Sequence, residues 1–214
     1  KAGVTAIGAR EFLIAYNINL NTHNKKLASD IALDIREAGR GKRDANGKFV
    51  RDDNGNILKV PGSLKSTKAV GWYIDEYKQA QVSMNLTNYN ITSIHQAFDE
   101  VCKQALRRGL RVTGSEIVGL IPLKAIKESG IYYLDKQNQS KGIPESDIIH
   151  IAIKSLGLDD LSIFKPNEKI IEYRINKTSD LLVNHSVESF LHELSRQSPA
   201  PGGGSVSALA GALA

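Results

Sequence analysis

The sequence predicts an α+β fold, a ferredoxin-like βαββαβ core with additional C-terminal helices. Three features point there. Segments with apolar residues at every second position alternate with segments whose apolar residues recur every three or four, in the order strand, helix, strand, strand, helix, strand up to Pro122. The stretch Ala69–Thr87 holds two strand patterns back to back with no helical period between them, which makes them a hairpin rather than a crossover. Beyond Pro122 the periodicity is mostly helical.

The first strand is predicted over Arg10–Leu20, where Phe12, Ile14, Tyr16, Ile18 and Leu20 alternate against partly apolar neighbours, so that both faces are expected to be covered. A helix follows on the stripe Leu27, Ile31, Ile35 and Ala38, with Gly39 or Gly41 as its C-cap. Two Asn-Gly pairs, Asn46-Gly47 and Asn54-Gly55, mark a small hairpin or mobile excursion, and no internal repeat is evident. The hairpin of Ala69–Thr87 turns near Tyr77 to Gln79. The second helix carries Ile94, Ala97, Phe98, Val101, Ala105 and Leu106 on one side, and a short apolar strand ends at Pro122. Helices are predicted over Pro122–Asp135 and Glu145–Asp160, the second ending near Gly157, and one more strand over Lys169–Ile175. Asn176–Asn184 reads as a linker. Ser186 starts a further amphipathic helix with Val187, Phe190, Leu191 and Leu194 on its face.

Hydrophobic residues make up 41% and charged residues 24% of the chain, the balance of a soluble globular protein. No apolar run approaches the roughly 20 residues that cross a bilayer, so no membrane partner is expected. A single cysteine, Cys102, can form no internal disulfide and fits a cytoplasmic location. Met84 is the only methionine, so Lys1 is not an initiator, and the chain stops on the opening of a helix. The expectation is a piece excised from a longer enzyme.

Much of the +5 formal charge gathers between Arg36 and Lys68, where nine basic residues face four acids. Such a patch either attracts an anionic partner or is a solvated loop. Only Phe49 interleaves it, which is poor provision for stacking nucleic acid bases. His23, His95, His150, His185 and His192 are scattered without the spacing of a metal site, so no metal is expected. His95 lies at a helix start, where the positive end of the helix dipole favours neutral imidazole, and reads as a core or surface histidine rather than a base. Cys102, spaced with Phe98 and Leu106, reads as core. Gly202–Gly204 before Ser205 offers backbone N–H groups to an anion at a helix start, or is a flexible linker.

Several longer blocks carry a family resemblance. In order, "GAREFLIAYNINL", "IREAGRGK", "KAVGWYIDEYKQAQVSMNL", "VTGSEIVGLIPLKA" and "IIEYRI" resemble the C-terminal subdomain of glutamate formiminotransferase, the first half of formiminotransferase-cyclodeaminase. "SPAPGGGSVSALAGALA" resembles the opening of the cyclodeaminase domain. The resemblance divides the chain into a transferase subdomain over 1–176, a linker and helix over 177–197, and a truncated cyclodeaminase start over 198–214.

It further implies a bifunctional enzyme of histidine degradation. The transferase moves the formimino group of N-formimino-L-glutamate to N5 of tetrahydrofolate, a polyglutamylated co-substrate held between two subdomains. The cyclodeaminase then closes the ring with loss of ammonia. The family's catalytic histidine belongs to the missing N-terminal subdomain, so His95 does not inherit its role and no catalytic residue is assigned here. A folate-contacting stretch of the family ends on Lys1, Ala2 and Gly3, of which only the glycine keeps the family's Ser-Trp-Gly. Arg40, Lys42 and the loop's basic residues are expected to face the γ-glutamyl tail. The isolated chain is expected to be inactive and the parent a homo-oligomer. The alternative is a ferredoxin-like module that binds nucleic acid through its basic loop. The folate assignment, by contrast, involves no nucleic acid.

Overall fold

The computed structural model describes residues 3–5, 7–175, 185–196 and 201–214. They fall into two compact units, 1–174 and 175–214. The predicted linker over Asn176–Asn184 lies outside the described residues.

In the first unit, β1 (Ile14–Leu20), α1 (Lys25–Ile35), β2 (Arg40–Gly41), β3 (Lys59–Val60), β4 (Thr67–Ile74), β5 (Gln79–Leu86), α2 (Ile94–Leu106) and β6 (Val112–Val118) follow one another. The main sheet has the order β4-β5-β1-β6, antiparallel at every pairing. Counting its strands along the chain, that order is second, third, first, fourth, which is the arrangement a split βαβ unit produces. The predicted α+β class and βαββαβ core therefore hold. The second strand pair is a hairpin, with Gly71 opposite Val82 and its turn over residues 75–78.

The core lies between the sheet and α1 and α2. Ile14, Tyr16, Ile18 and Leu20 are fully buried against Ala28, Ile31 and Ile35 of α1 and Ile94, Ala97, Val101 and Ala105 of α2. Each such large side chain contributes roughly 1.5–3 kcal/mol on burial. Asn24 caps α1 by accepting from the Lys26 N–H at 2.9 Å, and Ser93 and Gln96 close a reciprocal capping box on α2. Tyr16 keeps its hydroxyl satisfied inside this core: it donates to Ser115 Oγ at 2.9 Å, and Ser115 donates to the Leu156 carbonyl at 2.6 Å. Beyond β6, α3 (Leu123–Lys136) and α4 (Glu145–Leu156) pack as a helical pair, α4 ending as predicted at Gly157 with φ +60.

Five expectations need correction. The first strand begins at Ile14, not Arg10, because pairing with β5 and β6 starts there. Helix α1 stops at Ile35 with Arg36 as its extended C-cap, so neither Gly39 nor Gly41 caps it. Gly39 serves another end: a Cβ there would lie 1.8 Å from the Val60 carbonyl oxygen, so only glycine lets β2 meet β3. Leu106 is 76% exposed, since the stripe Ile94, Ala97, Val101, Ala105 has turned a further 100° by that position. Lys169–Ile175 is not a strand. It forms two short helices, α5 (Pro166–Lys169) and α6 (Ile171–Ile175), around a single parallel bridge between Ile170 and Ile121. Pro166 opens the first, and the Glu172 carboxylate caps α3 by accepting the Leu123 N–H at 2.7 Å.

The fifth correction concerns the Asn-Gly excursion, which is a hydrogen-bonded arm built from a tandem repeat. Arg43–Val50 and Arg51–Leu58 share the pattern Arg-Asp-x-Asn-Gly followed by two apolar residues after one position. In both copies the aspartate Oδ1 accepts from the N–H groups two and four residues on. In both, the arginine donates to the glycine carbonyl at 2.5 Å. The N–H groups of Lys42, Val50 and Leu58 donate to the carbonyls of Leu58, Lys42 and Val50 respectively, closing a three-membered ring of strand segments.

The second unit contains α7 (Val187–Leu194), capped by Ser186 accepting from the Ser189 N–H at 3.1 Å, and α8 (Gly203–Leu213). Gly202 is the N-cap, so Gly203 and Gly204 belong to the first turn and the helix starts before Ser205. Among the described residues, no helix is long and apolar enough to cross a membrane.

Gly71 faces α1 so closely that a Cβ would lie 2.0 Å from the Ser29 nitrogen, a backbone atom that cannot turn aside. Gly71→Ala is therefore expected to cost about 2–4 kcal/mol, read as a lowered urea midpoint at unchanged slope. A loss below about 0.5 kcal/mol would show that α1 moves away freely.

Candidate functional site on the open sheet face

The registers place Lys68, Val70 and Trp72 of β4, Gln81, Ser83 and Asn85 of β5, Ala15, Asn17 and Asn19 of β1, and Gly114, Glu116 and Val118 of β6 on the face opposite α1 and α2. This face is polar in its middle, and Val70, Trp72 and Val118 remain 40–57% exposed. The expectation that both faces of β1 are covered holds, Asn17 and Asn19 being 4% and 0% exposed, but the second face is lined by polar side chains. The missed signal was the alternation Asn17, Asn19 in β1 and Gln81, Ser83, Asn85 in β5.

One row links β4, β5 and β1 as a chain of hydrogen bonds that ends on Asp160 beside β6. The Trp72 indole donates to Gln81 Oε1 at 3.0 Å, Gln81 Nε2 donates to Asn19 Oδ1 at 2.6 Å, and Asn19 Nδ2 donates to Asp160 Oδ2 at 2.8 Å. Thr113 Oγ1 adds a further donor to the same oxygen at 3.0 Å. Asn19 and Gln81 are fully buried, so each bond also avoids the roughly 1–3 kcal/mol cost of an unsatisfied buried amide. In the next row Asn17 Nδ2 lies 3.4 Å from Glu116 Oε2.

Backbone features bring Asp160 here. The register between β1 and β6 slips after Asn19, whose partner is Gly114 while Leu20 pairs with Val112. Thr113 is the extra residue of this bulge, which re-aims its hydroxyl at Asp160. A Cβ on Gly114 would lie 2.2 Å from Asp160 Cβ, so glycine is what lets the aspartate cross the sheet edge.

The basic loop is less available than its composition suggests. Arg40 pairs with Asp30 at 2.8 Å and Asp34 at 2.6 Å, and Arg108 binds the same two carboxylates. Arg43 lies 4.1 Å over the Phe49 ring. The expectation that Arg40 faces a glutamyl tail is therefore corrected, since its charge is spent inside the unit. Between arm and α1 runs a groove of about 760 Å³, walled by Leu33, Phe49, Ile57 and Val60 and rimmed by Arg36 and Lys59.

His95 is half-buried and stacked on Tyr132, with ring centroids 4.3 Å apart. Ser129 spends its hydroxyl proton on the Ala125 carbonyl, so it accepts from His95 Nδ1, leaving Nε2 to accept from Ser93 Oγ at 2.9 Å. Burial lowers its pKa to about 4, the nearby Asp99 charge opposing the shift only in part. Cys102 is partly buried, and burial pushes its thiol up to about 11. Of the sequence-assigned folate residues, Lys1 and Ala2 lie outside the described residues, and Gly3 is exposed with φ +71. Among the described residues, no group of three or more His, Cys, Asp or Glu could hold a metal.

The sequence of this chain is matched by known proteins. Residues 15–176 match the family described as Formiminotransferase domain. The chain belongs to the formiminotransferase family. Residues 186–214 match a second family, described as Formiminotransferase-cyclodeaminase. The chain is 44% identical over 214 residues to the formimidoyltransferase-cyclodeaminase of Dictyostelium discoideum and 40% identical over 213 residues to that of Sus scrofa. In both cases 99% of this chain aligns with 36% of the relative, so it spans about a third of their length. It is also 38% identical over 149 residues to the glutamate formimidoyltransferase of Thermoplasma acidophilum, covering 70% of this chain and 41% of that protein.

The neutral lock on His95 sets a pH dependence. Its folded pKa lies below the usual 6.5, so the folded state binds fewer protons between pH 6.5 and 4, and stability present above pH 6.5 is lost on acidification. Discounted for partial exposure, the contribution is about 1–2 kcal/mol between pH 7 and pH 5. His95→Gln is expected to flatten that part of the urea-stability profile, and an unchanged profile would contradict the lock.

Proposed function

We propose that the chain supplies the folate-facing C-terminal half of a glutamate formimidoyltransferase, which transfers the formimino group of N-formimino-L-glutamate to N5 of tetrahydrofolate. The Formiminotransferase domain match over residues 15–176 carries this reading. The names of the relatives support it, and so does the polar sheet face with its exposed Val70, Trp72 and Val118, the surface on which a bound co-substrate would lie between this half and a second subdomain. In the transfer, the N5 lone pair attacks the formimino carbon, the bond from that carbon to the glutamate nitrogen breaks, and the nitrogen leaves with a proton as the free amine. This chain's part is positioning. Trp72 is 40% exposed with its indole N–H tied to Gln81, and the amides of Gln81 and Asn19 hold the floor rigid.

The 186–214 match supports fusion, in a longer protein, to a formimidoyltetrahydrofolate cyclodeaminase. A polyglutamylated co-substrate, a homo-oligomer and a cytoplasmic location complete the proposal, together with a folate contact at Lys1, Ala2 and Gly3. No observation favours the nucleic acid alternative.

In the longer protein, Trp72→Ala is expected to raise the KM for tetrahydrofolate at least 10-fold while cyclodeaminase turnover stays within 2-fold. The isolated 214-residue chain is expected to show no transfer. Transfer by the isolated chain, or an unchanged KM in the variant, would contradict the proposal.

A further inference from the structure

Asp160 differs from the other carboxylates on the described surface in how much structure is devoted to placing it. Glycine at 114 makes room for it, the bulge at Thr113 turns a hydroxyl toward it, and the chain of donors from β4, β5 and β1 ends on it. Both of its protein hydrogen bonds fall on Oδ2, while Oδ1 accepts none among the described residues and the residue is exposed. A carboxylate has about four lone-pair directions, so acceptor capacity remains for an outside donor. The bonds to Oδ2 fix the plane of the group, so an incoming ligand need not order it.

We propose that Asp160 is a ligand-binding residue that accepts a planar N–C–N donor pair, two N–H groups on one carbon, at the β6 end of the open face. This deepens the proposed function and rests on it for the identity of the natural ligand. Because Oδ2 already accepts two bonds, both N–H groups of such a fork converge on Oδ1, each as a charge-assisted hydrogen bond. Two chemistries of the proposed reaction contain that fork: the amidine of a formimino group, and the 2-amino-pyrimidinone edge of a pterin. The row from Trp72 to Asp160 spans three interstrand steps, about 14 Å. A ligand that touches both ends must therefore be as long as a folate, whereas a formiminoglutamate reaches only one.

Formamidinium chloride titrated into the 15N-labelled 214-residue chain tests the site without requiring turnover. Saturable shifts of the Asn19, Thr113 and Gly114 amides are expected, weakened at least 10-fold in both Asp160→Asn and Asp160→Ser and absent with tetramethylammonium, a cation without N–H groups. Equal shifts from tetramethylammonium, or shifts unchanged in a variant whose spectrum remains folded, would overturn the proposal. Two unfolded variants would overturn it as well, because Asp160 would then be structural. Parallel titrations with N-formimino-L-glutamate and with tetrahydrofolate assign the source of the fork. Loss of tetrahydrofolate affinity alone points to the pterin, and loss of formiminoglutamate affinity alone to the amidine. If wild type binds neither substrate but still binds formamidinium through Asp160, the proposed function fails and this inference stands.

Discussion

A hydrogen-bond chain with a donor that cannot accept at one end and an acceptor that cannot donate at the other has only one direction. The Trp72 indole offers an N–H and nothing else, and Asp160 Oδ2 accepts from both Asn19 and Thr113. Between them the two amides have no choice of orientation: Gln81 must receive on its oxygen and give from its nitrogen, and Asn19 must do the same. The open face of the sheet owes its definition to that constraint. Three strands that share backbone bonds also share a side-chain row whose register cannot slip by one residue without breaking every link.

The rest of the unit accommodates the row. An apolar pair at positions 19 and 81 would give the sheet two dry faces and a stronger collapse, yet this chain buries two amides there and satisfies them. The strands are held instead from the other side, by Ile14, Ile18, Leu20, Val82 and Leu86 packed on α1 and α2. Glycine at 71 lets α1 press onto β4, and glycine at 114 lets Asp160 reach past β6. Both substitute close approach for side-chain volume, one to build the core and one to build the surface. Division of labour between the faces follows: one face supplies the apolar core, and the other carries the polar row.

Much of this was legible in the sequence. The order of strands and helices, the hairpin at Ala69–Thr87 and the αL end of α4 at Gly157 all rest on local period and turn chemistry, which the tertiary structure did not override. Two of the misses share a non-local cause. Lys169–Ile175 has the composition of a strand but no strand to join beyond the single Ile121 contact, and pairing is a non-local fact. The row was invisible because Asp160 lies 141 positions from Asn19 and 47 from Thr113. Only the polar alternation at Asn17 and Asn19 hinted that one face of β1 was reserved for something other than a core. The tandem Asp-x-Asn-Gly pattern was local and available, but two Asn-Gly turns suggest a hairpin before they suggest a repeat.

Hydrogen exchange of the side-chain amide protons is the most direct test of the directional row, because it reads the amides themselves rather than the fold around them. The account predicts that the Asn19 Nδ2 and Gln81 Nε2 protons bonded within the row exchange with the protection of core backbone amides, and that Trp72→Phe, which removes the first donor, selectively speeds the exchange at Gln81. Side-chain amides that exchange as fast as those of exposed Asn54 or Asn56, in a chain whose backbone remains protected, would contradict it.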